Sequence, residues 1–84
     1  MIEKYSAALG EQMGIPQLRV SLVNGIRLGC KDMHLVNFTS KGHSVSELIF
    51  HSELDRLQDG LACDLLEIKV RAALLKLKNM IEPE

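Results

Sequence analysis

Residues 61 to 81 constrain this chain more than any other stretch, because they read as one helix that is apolar on two sides. Cys63, Leu66, Val70, Ala73, Leu77 and Met80 recur at spacings of three and four, and Leu61, Leu65, Ile68, Ala72 and Leu75 do the same. At 3.6 residues per turn the two stripes point roughly 145° apart. The core of one small domain covers one stripe, so the other needs a second partner, and the simplest is another copy of the chain. Such a helix spans about 31 Å at 1.5 Å per residue, which is long for a small domain. Leu66, Val70 and Leu77 are large, and the spacing suits a helix–helix seam. On those two grounds Leu66, Val70, Ala73, Leu77 and Met80, with Cys63 at their start, are the expected dimer or partner interface. The other stripe is then left to cover the sheet.

Size points the same way. A chain of 84 residues makes one domain, spanning 1–84. At that length only about 60% of the unfolded surface is buried, so disulfides, a metal or oligomerisation commonly add stability. Cys30 and Cys63 are the only cysteines, 33 residues apart and without the close Cys or His spacing of a zinc site. They are expected to be reduced, at least partly buried thiols in a cytoplasmic protein. Oligomerisation is the remaining addition. The net charge of −1 and pI near 6.3 argue against a dedicated nucleic-acid or membrane-surface protein. No apolar run is long enough to span a membrane, and Met1-Ile2-Glu3-Lys4 does not open a signal peptide.

Along the chain, Ile2, Tyr5, Leu9 and Met13 share a helical face, and Gly14 with Pro16 stops that helix, predicted over 2–13 with Gly10 as its weak point. Leu18–Leu22 and Ile26–Cys30 alternate like strands around Val23-Asn24-Gly25. A two-residue loop would set Leu22 against Arg27. A three-residue loop pairs Leu22 with Ile26, Val20 with Leu28 and Leu18 with Cys30, and gives Gly25 a positive φ. A second hairpin is expected from Met33–Thr39 and Val45–His51 around Lys41-Gly42-His43. Pairing Val36 with Leu48, and His34 with Phe50, gathers Val36, Phe38, Leu48 and Phe50 on one face. Ser52 is a good N-cap for a short helix over 53–58 that ends near Asp59-Gly60, though a continuous helix through Gly60 is the alternative. The expected fold is α+β, an antiparallel meander of about four strands between an N-terminal helix and a long C-terminal helix, in the order α-β-β-β-β-α.

The chain carries no motif with a chemical mechanism. His34 and His51 lie near one end of the second hairpin with Cys30 close by in sequence, but the expected register turns His34 and His51 to opposite faces. Glu53, Asp55, Asp59 and Asp64 around Gly60 do not have EF-hand spacing and read as helix-start charges. The glycines form no phosphate loop. No catalytic residue, cofactor or metal site is therefore expected. Lys69, Arg71, Lys76 and Lys78 make the second half of the long helix basic and are the candidate phosphate contacts of a nucleic-acid binder. Glu67 lies four residues before Arg71, so solvated helix decoration is the stronger reading of these cations.

The run Tyr5-Ser6-Ala7-Ala8-Leu9-Gly10-Glu11-Gln12-Met13-Gly14-Ile15-Pro16-Gln17-Leu18 resembles the opening of class I type III secretion chaperones, in which an amphipathic helix ends in a Leu-Gly and Leu-Pro-like run before a strand meander. The resemblance covers about the first half of the chain, and its motif, a helix stop before a strand, is shared by many families. The family's further strands and closing helix have no counterpart in these 84 residues. The resemblance implies a dimeric, non-enzymatic protein whose sheet and helix surfaces bind an extended partner segment, and it carries over no site residues.

Together these features lead us to expect a small non-enzymatic interaction protein acting as a homodimer: a chaperone, an adaptor or an inhibitor. A dimeric nucleic-acid-binding regulator is the alternative.

Overall fold

A computed structural model describes residues 2–23, 29, 32–61 and 64–82. Its elements are α1 (Ile2–Gln12), β1 (Arg19–Val23), β2 (Met33–Ser40), β3 (His43–Phe50), α2 (His51–Gln58) and α3 (Asp64–Ile81). The protein is α+β. An antiparallel sheet in the order β1-β2-β3 is packed on one face by α1, which lies over β1, and by α3, which lies over β2 and β3.

Both short helices end in the same backbone device. Gly14 and Gly60 take φ of 77° and 75°. At α1, the Ile15 N–H donates to the Gly10 carbonyl and the Gly14 N–H to that of Glu11. At α2, the Leu61 N–H donates to the Arg56 carbonyl and the Gly60 N–H to that of Leu57. These are paired Schellman bonds, and they need a left-handed residue that glycine supplies without a Cβ clash. The second one makes α2 and α3 separate helices. α2 starts two residues earlier than the Ser52 cap implies, with Phe50 as its N-cap residue. The Phe50 N–H donates to Glu53 Oε1 at 2.8 Å, so Glu53 supplies the reciprocal half of a capping box.

The sheet departs from the expected meander. β1 pairs directly with β2, Val20 opposite Phe38 and Leu22 opposite Val36. Of the expected loop and strand, residues 24–28 and Cys30 fall outside the described residues, as does Cys63, while Val23 continues β1 opposite Leu35 and Gly29 has a φ of 79° in a turn. The described sheet has three strands.

The β2–β3 hairpin is shifted by one residue from expectation. Ser40 pairs with His43 across a two-residue turn, and Lys41 and Gly42 have φ of 49° and 79°. Positive φ at both central residues is the type I′ turn, whose twist matches that of the flanking strands. Leu48 therefore sits opposite Leu35 and Phe50 opposite Met33, while Val36 faces Glu47 and His34 faces Ile49. A one-residue slip exchanges the faces of every side chain in a strand. Leu48 and Phe50 go to the outer face, 48% and 43% exposed, and Ile49 goes to the core.

That core consists of Val36, Phe38 and Ile49 from the sheet, Ile2 and Leu9 from α1, Ile15, and Leu66, Val70, Ala73, Leu74 and Leu77 from α3. This reverses the assignment of the α3 stripes. Leu66, Val70, Ala73 and Leu77 lie against the chain's own sheet, and among the described residues of the expected interface only Met80 is exposed. The physical reason is width. With Leu74 and Ile81 included, the inward residues span an arc of roughly 100°, the face a globular core requires, whereas the other stripe is a narrow seam.

Candidate functional site

The outward side of α3 carries Leu65, Ile68, Ala72 and Leu75, followed by Asn79, and Leu61 precedes the helix. All are exposed, and the four large residues are 51 to 63% accessible. Within α3 a spacing of three, four and three residues keeps Leu65, Ile68, Ala72 and Leu75 on one line, nearly opposite the sheet. A second apolar area lies on the outer sheet face. There Val23, Leu35 and Leu48 sit side by side across the strands, and Met33 and Phe50 form the next row. The far end of that face is polar, with Ser21, Asn37 and Ser46 in one row.

The four cations proposed for phosphate contact do not gather. Lys69 Nζ is 2.8 Å from the buried Glu53 Oε1 and 4.4 Å from the centre of the Phe50 ring. Arg71 lies 3.6 Å from Glu67. Lys78 donates to the Met13 carbonyl at 2.7 Å and so ties α3 to the end of α1. At helical spacing Lys69 and Lys76 flank one side of the outward row, and Arg71 and Lys78 flank the other. Three of the four thus have partners within the chain, and the apolar row divides them into two pairs.

Glu53 is the electrostatic centre of the fold. It is 4% exposed, and Oε1 accepts from both the Phe50 N–H and Lys69 Nζ at 2.8 Å, while Oε2 has no hydrogen-bond partner among the described residues. One carboxylate joins the end of β3, the first turn of α2 and the middle of α3. Charge-assisted bonds to both a cation and a backbone amide are what allow a carboxylate to be buried there.

Sequence reasoning missed the other polar contact. His34 Nε2 and His51 Nδ1 are 2.8 Å apart, with ring centres 5.1 Å apart. His34 points inward from β2 and is 6% exposed; His51 opens α2 and turns back towards it. The missed signal was the register: placing His34 opposite Ile49 leaves His51 at the helix start, free of the strand's alternation. His51 Nε2 also lies 3.5 Å from Asp55 one turn later. The two rings point at each other along a nearly common axis, so one donates and the other accepts a single hydrogen bond. Two ring nitrogens aimed at each other do not converge on a shared metal position, and among the described residues no three ligand-type side chains form a cluster. The pair borders an open cavity of about 330 Å³ whose apolar wall is Ile2, Leu22, Leu54 and Leu57. The arrangement supplies a structural hydrogen bond between sheet and helix.

No described helix is long and apolar enough to cross a membrane. No protein-family model matches the chain, and neither a curated protein nor a solved structure matches it significantly.

Proposed function

We propose that this protein is a small non-enzymatic interaction module that acts as a homodimer, of chaperone, adaptor or inhibitor type. The observation that carries the reading is the outward row of α3, where Leu65, Ile68 and Leu75 stand in water on the side away from the core. A continuous apolar strip of that length is rarely left uncovered by a monomer. The apolar end of the outer sheet face supports a protein partner in addition to the second copy. The likeness of residues 5–18 to secretion chaperones points in the same direction. The proposed setting is cytoplasmic, where cysteines such as Cys30 and Cys63 are kept as thiols.

Sedimentation equilibrium from low to high micromolar concentration tests the reading. Wild-type protein should associate. Ile68→Glu places two like charges in the seam but touches no core residue, and it should remain a compact monomer with an unchanged circular-dichroism spectrum. A wild-type chain that stays monomeric at high micromolar concentration would falsify the homodimer.

A further inference from the structure

A hydrogen bond between two imidazoles exists only while one of the facing nitrogens lacks a proton. His34 Nε2 and His51 Nδ1 face each other at 2.8 Å, and their bond joins the inner face of β2 to the first turn of α2. We infer that the pair is an acid-operated latch: proton uptake by both rings releases α2 from the sheet while β2, β3 and α3 stay assembled. One added proton leaves the bond in place, because a protonated ring donates to a neutral one. Two added protons put N–H groups on both facing nitrogens, and a positive charge on each of two rings whose centres are 5.1 Å apart. His34 is 6% exposed, so water does little to screen that repulsion. His51 is the exposed partner, and it moves away as soon as the turn lifts.

Carboxylates flank the latch and draw protons to it. Asp55 Oδ2 is 3.5 Å from His51 Nε2, the ring nitrogen that does not face His34. Glu3 of α1 lines the same cavity, and a hydrogen bond from its own backbone N–H holds its carboxyl below the usual range. Asp32, just before β2, accepts the His51 N–H on its carbonyl at 2.8 Å. Glu53 lies two residues beyond His51 with Lys69 of α3 bound to it at 2.8 Å, and Arg56 sits about 140° around α2. β1 and β3 bring Leu22 and Ile49, which carry no charge. Little apolar contact opposes release, since α2 contributes only the partly buried Leu54 and Leu57. The ion pair of a protonated His51 with Asp55 works the other way, but an exposed pair at i,i+4 contributes little. The open form holds more protons than the closed one. The closed form therefore loses stability as pH falls through the imidazole range, near about pH 6.5, and one extra proton gives at most a tenfold change per pH unit. Release opens the cavity of about 330 Å³ and uncovers Ile2, which is 2% exposed in the closed form.

Amide hydrogen exchange followed by NMR, corrected for the intrinsic rate at each pH, tests the latch in the native chain. The Phe50 N–H donates to Glu53, and those of Asp59, Gly60 and Leu61 donate to carbonyls of α2, so these four amides report release. Their protection should fall about tenfold from pH 7 to pH 5, while the amides of β2 and the middle of α3 keep theirs. His51→Gln, at an exposed position, should remove the pH dependence. His43→Gln, at the turn end of the hairpin, should leave it intact. A flat or rising profile in the wild type, α2 amides without protection at pH 7, or an unchanged slope in His51→Gln overturns the latch. A parallel fall in β2 and α3 overturns it as well, because that is global acid unfolding and not the release of one helix.

Discussion

α3 and β3 are each apolar on both sides, yet different forces choose the side that enters the core. On α3 the choice is cumulative. Leu66, Val70, Ala73, Leu74 and Leu77 form the broader face, and it is the one buried, while the narrower row stays in water. Lys69 and Lys78 then hold the helix at that rotation through Glu53 and the Met13 carbonyl. On β3 the choice is local. Leu48 and Phe50 are larger than Val45, but the two-residue turn at Lys41-Gly42 sets the register and sends them outward. A helix face follows from the sum of its contacts, whereas a strand face follows from parity set at the turn.

The strongest way to break the comparison is Val70→Glu. On the buried face of α3 it places a charge without a partner in the core, a change of the class that leaves marginal domains unfolded. The variant should lose its cooperative unfolding transition, monitored by circular dichroism against urea. A folded monomer instead would mean that this stripe is the seam after all. Next in size is Lys69→Met. It leaves the Glu53 carboxylate buried with only the Phe50 amide, and breaking such a pair costs about 3 kcal/mol. Urea denaturation should show that loss, and Glu53→Gln in the same background should recover part of it.

Gly42→Val probes the turn that governs β3. A β-branched residue at φ of 79° should cost about 1–3 kcal/mol, again read from urea denaturation. A neutral result would show that the register does not depend on the left-handed turn. The smallest effect belongs to the outward row. At a dilution where the protein is monomeric, Ile68→Ser should change stability by no more than about 0.5 kcal/mol. Any larger loss would place Ile68 in an intrachain contact and erase the difference between the two sides of α3.

Much of the fold is legible in the residues themselves. The stop at Gly14, the break at Gly60 and both stripes of α3 are local patterns with local causes. The parts that were not legible depend on pairing. One residue of register separates the expected hairpin from the observed one, because gathering Leu48 and Phe50 with Val36 and Phe38 looks better by size than the arrangement imposed by the turn. The pairing of β1 with β2 was not foreseen for a related reason: sequential alternation draws attention to the adjacent segment, most of which lies outside the described residues. The candidate surface was visible as a doubled helix, but its direction was not, since Leu74 belongs to the inward face and falls outside the strict stripe. The contact between His34 and His51 was hidden by the same register error, since the two residues were placed near one end of the hairpin but turned to opposite faces.

Glu53 also shapes the order in which the fold loosens. α2 brings only the partly buried Leu54 and Leu57 to the core, so little apolar area holds it down. It is fastened instead at its first turn, by Glu53 to Lys69 and by His51 to His34. Elements with few buried apolar contacts open at lower free energy than packed cores. α2 is therefore the subunit of cooperativity that detaches first, with β2, β3 and α3 still assembled beneath it. The Phe50 amide would report the event, because its acceptor leaves with the helix.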